Sequence, residues 1–223
     1  MSLAIFSEAG TKIQDGSSRD GNALAALYDQ YTTGLRSRNR DQWERFDMSI
    51  TAMTLLVAHE GARPGRKVMI WLSPGWPLLS GSDIKNFPRD QRHLFNSIVE
   101  TSTGLRQARI TLYSIDPLAL ADAGGGRTSD YKEFLKGVVS PAPVLPDDLA
   151  LQVLVVQSGG RVFNSNNDLE AALANCAVDA NAFYVLSFEA AQADRPDEYH
   201  SLGVTVDKPG IEVRTRTGYY AQP

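Results

Sequence analysis

Apolar residues fall along this chain in unbroken runs and in spaced ones, and the two kinds predict different elements. Residues 68–72, Val-Met-Ile-Trp-Leu, form an unbroken run between Gly65 and Pro74-Gly75. A strand with one wet face would alternate, so this one is expected to be covered on both faces, in the middle of a sheet. Residues 109–115, stopped by Asp116-Pro117, read as the next strand, residues 161–163 as a short one, and residues 182–188 as another strongly apolar strand. Near the start, residues 3–6 and 11–14 read as strands joined by a turn at Glu8-Ala9-Gly10, and 15–21 as a polar loop.

Between these runs the apolar positions recur at helical spacing. Leu24, Leu27, Tyr28, Tyr31 and Leu35 line one face of a helix that begins at Asn22. Asp41 stands where it would cap a second helix carrying Trp43, Phe46, Ile50, Met53, Leu56 and Val57. A third helix is expected over 89–107, apolar at Leu94, Phe95, Ile98 and Val99. Asp147 is placed to cap a fourth, ending at Gly159-Gly160, and 168–179 reads as a fifth. Residues 118–147, with Gly124-Gly125-Gly126 and three prolines, read as a long loop or insertion with one short helix near 131–138. Residues 199–206 and 211–217 alternate around Lys208-Pro209-Gly210 and predict an antiparallel hairpin. Strand–helix units followed by a hairpin predict a single α/β domain over residues 1–223.

Composition narrows the function classes. With 43% hydrophobic and 22% charged residues, the chain has material for a core. Its net charge of -4 and pI near 5.4 argue against nucleic acid as a partner. The short Arg36, Arg38, Arg40 cluster stands beside Asp41 and Glu44 and reads as a solvated helix end or turn. The lone Cys176, among alanines and leucine, reads as a buried inert thiol and excludes a thiolate metal cluster. No apolar run approaches the ~20 residues of a membrane span, so no membrane insertion is expected.

Several segments, taken in order, resemble the von Willebrand factor type A-related proteins found mainly in Acidobacteria. They are Gly65 to Pro77 (GRKVMIWLSPGWP), Ile110 to Pro117, Ser158 to Phe163 (SGGRVF), Phe183 to Phe188 (FYVLSF) and Arg214 to Ala221 (RTRTGYYA). The resemblance implies a doubly wound sheet with helices on both faces, and it favours an exported bacterial protein. In such domains the first, central strand carries Asp-x-Ser-x-Ser, which helps bind a divalent metal. Residues 3–6 and 11–14 would correspond to the second and third strands. The chain then reads as a fragment, begun at a cloning start, that lacks the first strand and its motif. An unpaired strand edge invites another chain, so a second protein or a second copy is the expected partner.

Each candidate site has a plainer alternative. Asp47-Met48-Ser49-Ile50-Thr51 spells a near variant of the metal motif, but inside a helix its side chains diverge. Asp15-Gly16-Ser17-Ser18-Arg19 matches only the first half and reads as a turn. Where a third ligand loop would bring an aspartate, the chain has Ser73-Pro74-Gly75, with no carboxylate until Asp83. The metal site is therefore read as degenerate, and no metal or cofactor is expected. Ser73 resembles a nucleophile elbow, but Pro74 lacks the backbone N–H that an oxyanion hole takes from that position. His59, His93 and His200 lie in no motif that ties them to Ser73. Gly124-Gly125-Gly126-Arg127 lacks the ending of a phosphate loop. Asp116 is either a cation or hydroxyl ligand or the first residue of an Asp-Pro turn. Trp76 is either an exposed recognition aromatic or packed beneath the loop that follows. Tyr219-Tyr220 reads as packing for the last strand.

These readings combine into a non-catalytic binding or assembly module of a larger protein. Its contact surface is expected at the strand-end edge formed by Ser7, Ser73, Trp76, Asp83 and Asp116. The rival is an enzyme, a serine hydrolase at Ser73 or a metal-dependent activity near Asp116.

Overall fold

The computed structural model describes residues 1–7, 9–30, 42–73, 76, 88–116, 131–163 and 168–223. An antiparallel hairpin opens the chain: β1 (Ala4–Ser7) pairs with β2 (Gly10–Ile13), from Ala4 opposite Ile13 to Ser7 opposite Gly10. Two helices follow, α1 (Gly21–Gln30) and α2 (Gln42–Gly61). The Asp20 carboxylate accepts from the Asn22 N–H (2.9 Å) and so satisfies a free donor at the start of α1. The expected cap at Asp41, and Tyr31, Leu35 and the Arg36, Arg38, Arg40 cluster, lie outside the described residues.

The centre is a parallel three-stranded sheet in the order β3 (Lys67–Leu72), β4 (Ile110–Ile115), β5 (Val162–Phe163). Helix α3 (Pro88–Gln107) joins β3 to β4, and α4 (Leu151–Gln157) precedes β5. Helix α5 (Leu169–Asn181) follows, with the Asp168 carboxylate accepting from the Ala171 N–H (2.8 Å) as its N-cap. Alternation along the strands divides the side chains between two cores. Met69, Trp71, Ile110 and Leu112 meet Phe46, Met53, Leu94, Ile98 and Leu154 from α2, α3 and α4. Val68, Ile70, Tyr113, Ile115 and Phe163 meet Ala172 and Cys176 of α5. The sheet therefore carries helices on both faces.

Four expectations are corrected. β3 packs against helices on both faces, as expected, but it is an outer strand among those described, with Leu72 53% exposed; the central strand is β4, where Ile110 and Leu112 are fully buried. The β1–β2 hairpin forms a sheet of its own instead of joining the parallel one. The described strands run in sequence order with no reversal, so among them the sheet is parallel and flanked by helices but not doubly wound. Residues 182–188 form no strand: no described strand lies alongside them, and all are exposed.

The C-terminal hairpin is present but displaced. β6 (Glu198–Ser201) pairs antiparallel with β7 (Gly218–Ala221), and the Leu202 N–H adds a bond to the Thr217 carbonyl (2.8 Å). Carried onward, this register places Lys208 opposite Ile211 and leaves Pro209-Gly210 as the two turn residues. Gly210 has φ 79°, as the third position of a type II turn requires. The turn was legible; the intervening ladder does not form, and residues 214–217 are held instead by helices α3, α4 and α5 and by the start of β4. Arg214 binds Asp179, Arg216 donates to the Leu105 and Ile110 carbonyls, and Thr217 donates to the Gln157 carbonyl.

Of the long segment, the described part begins at Tyr131. Residues 131–149 contain 3₁₀ turns at Tyr131–Phe134 and Pro146–Leu149, and bury Val138, Val144 and Leu149. Asp147 does not cap α4, whose first flanking residue is Ala150. Pro146 starts a 3₁₀ turn instead, and the neighbouring Asp148 carboxylate takes the Leu145 N–H (2.7 Å).

Candidate functional site

The parallel register decides which proposed site residues meet. Leu72 stands opposite Ile115, so the next residues, Ser73 and Asp116, end adjacent strands side by side, on the order of 5 Å apart by the usual interstrand spacing. The Ser73 N–H donates to the Ile115 carbonyl (3.1 Å), and the Asp116 N–H to the Phe163 carbonyl (3.0 Å). Both backbones are thereby fixed at the carboxyl edge of the sheet, where α/β folds commonly hold ligands.

Trp76 is not at that surface. Its indole is 5% exposed and lies edge-on to Trp71 (ring centroids 5.7 Å) and to Phe46 (6.2 Å), while Phe6 of the hairpin covers Trp71 at 5.0 Å. It takes the packed alternative, as an interior residue between sheet, hairpin and α2. Among the described residues the indole N–H groups of Trp71 and Trp76 find no hydrogen-bond partner, and neither does the hydroxyl of Ser114, which is paired with Trp71 across the strands.

Ser7 is on the other side of this aromatic wall. It lines an open groove of about 320 Å³ between the hairpin and α2, together with Gly10, Thr11, Asp47, Met48 and Thr51. Its hydroxyl accepts from the Ala9 N–H (3.2 Å), closing the hairpin turn. Asp47 and Thr51 face the groove while Ser49 is buried on the opposite side of α2, so the motif-like oxygens diverge as helical geometry requires. Asp83 lies outside the described residues. Of the five candidates, the structure brings together Ser73 and Asp116.

A second feature adjoins this corner. In β3, the N–H groups of Lys67 and Ser73 donate to the Arg109 and Ile115 carbonyls, and Met69 and Trp71 follow the same parity toward β4. Val68, Ile70 and Leu72 therefore direct their N–H and C=O groups away from β4. Among the described residues no strand receives them. The outer edge of β3, six residues long and ending beside Ser73, is thus paired with no described strand.

The opposite, amino-terminal edge holds a charge cluster that the sequence pattern did not single out. Asp179, at the end of α5, accepts from Tyr113 Oη (3.1 Å), pairs with Arg214 (2.7 Å) and lies 3.8 Å from Arg161. Burial alone would raise its pKa; the Arg214 guanidinium, the Tyr113 hydroxyl and Arg161 outweigh it and hold the carboxyl below its ordinary value. Apart from this cluster, Arg216, whose guanidinium donates to the Leu105 and Ile110 carbonyls, is pushed down to about 10, by burial first and by the charge of Arg106 second. These contacts strap the C-terminal segment beneath the sheet, and their role is structural. The only available signal was the same-face spacing of Arg214 and Arg216. Burial, then Asp179, raises Cys176 to about 11, which makes it an inert thiol.

Comparison with family models, with curated proteins and with solved structures returns no match. Among the described residues, no helix is long and apolar enough to cross a membrane.

Proposed function

We propose that this chain is a non-catalytic contact module that presents the outer edge of β3 to a strand of another polypeptide. The observation that carries this reading is the unreceived row of backbone groups at Val68, Ile70 and Leu72. Buried backbone groups are almost always paired, and an open edge with apolar flanks is a template for strand addition. In this reading the domain is of von Willebrand factor A type with a degenerate metal site. Support comes from the parallel strand order, the helices on both faces, and the absence of a carboxylate at Ser73-Pro74-Gly75.

Leu72→Pro tests it. The substitution deletes an N–H that points outward and leaves the bonds of β3 to β4 in place, as proline at a sheet edge can. Wild-type and Leu72→Pro chains with matching circular dichroism should differ in retaining a bound protein from the cells that make them. Equal retention contradicts the proposal.

The adjacency of Ser73 and Asp116 favours an enzymatic second reading. It predicts ester hydrolysis abolished by Ser73→Ala, or a melting temperature raised by Mg²⁺ or Mn²⁺. A native-state ligand at a hundred times its dissociation constant adds about 2.7 kcal/mol, on the order of 5–10 °C here. The contact-module reading predicts neither.

A further inference from the structure

The same chain that leaves an edge open also leaves a strand-like segment unpaired. Residues 183–188, Phe-Tyr-Val-Leu-Ser-Phe, contain five large apolar side chains, no charge, no glycine and no proline. Phe183, Tyr184, Val185, Leu186 and Phe188 are 49%, 96%, 77%, 69% and 61% exposed. No backbone hydrogen bond from these six residues is made to any described residue. The segment is moored at its ends: the Arg66 guanidinium lies over the Phe183 ring (4.8 Å), and Phe188 meets Tyr219 (5.9 Å). Its β-branched and aromatic content is that of a strand. Its length equals that of β3, which also has six residues.

We propose that residues 183–188 of one copy add antiparallel to the outer edge of β3 in a second copy, with Ser187 opposite Val68, Val185 opposite Ile70 and Phe183 opposite Leu72. This rests on the contact-module reading and names its partner. Charge sets the direction. Antiparallel pairing brings exposed Glu189 opposite Arg66 at the start of β3, whereas parallel pairing would bring it to Asp116 at the other end. The mooring sets the copy. Within one chain, Phe183 follows α5 and sits at Arg66, the wrong end of its own β3, and the required position at Leu72 is roughly 20 Å away at ~3.3 Å per residue. A second copy meets no such limit, and reciprocal exchange closes a two-fold dimer with both edges filled.

Sedimentation across a dilution series is the test. The full chain should show twice its 24.4 kDa mass, and Val185→Pro, at a fully exposed position, should reduce it to one chain. Glu189→Lys should weaken the dimer. In a Cys176→Ser background, Leu72→Cys and Phe183→Cys chains should form a disulfide when mixed and not when separate. A single-chain mass at every concentration overturns the inference. A dimer lost in Leu72→Pro but kept in Val185→Pro overturns the donor assignment and leaves the edge reading standing. A dimer kept in both overturns the inference, and the edge reading then stands or falls on the Leu72→Pro retention test.

Discussion

Asp179 joins three elements through one carboxylate, and its chemistry predicts a pH signature. Its folded pKa lies below the unfolded value, so its contribution to stability is present above the unfolded value near 3.9 and is lost as pH falls through the folded one. Asp179→Asn should therefore cost about 1–3 kcal/mol at pH 7. The gap from wild type should narrow in melts as pH falls below the unfolded value and close once Asp179 is protonated in the folded state too. A gap that persists unchanged in acid would mean that packing, not charge, holds the strap. At Gly160, an added Cβ would collide with the Leu112 carbonyl oxygen in the middle of the sheet. Gly160→Ala should cost on the order of 1–3 kcal/mol or more in denaturant unfolding. Trp76→Ala removes an indole from the aromatic wall and should cost about 3–5 kcal/mol. A variant that kept wild-type stability would return Trp76 to the surface.

At the scale of elements, what was legible followed from local rules. The hairpin at the start, helices α2, α3 and α5, and strands β3 and β4 are all found near their expected places, because period and stop residues act within a few positions. What was not legible depended on distant contacts. Residues 182–188 and 68–72 have equally apolar sequences, yet one forms a strand and the other does not. The difference is the presence of β4 beside 68–72, which no local pattern encodes. The Pro209-Gly210 turn was readable, whereas the diversion of Arg214, Arg216 and Thr217 to the helices and the start of β4 was not, since its partners lie more than 30 residues away. Likewise, the adjacency of Ser73 and Asp116 followed from two strand ends, but the burial of Trp76 depended on where Phe6 and Phe46 came to rest. Leu72→Pro belongs to this scale too. Leu72 is half exposed at the strand end, so the melting temperature should shift by only a few degrees while partner binding is lost.

For the whole molecule, the account comes down to the outer edge of β3, the longer of the two sheet edges that no described strand covers. Site-resolved amide exchange reads that edge directly. In dilute solution Met69 and Trp71, bonded to β4, should exchange slowly, and Val68, Ile70 and Leu72 fast. When the chain is concentrated, or given its partner, those three amides should slow toward their neighbours. If they are already slow when dilute, the edge is covered within one chain. If they stay fast in the complex, the partner binds elsewhere, and either result contradicts the account.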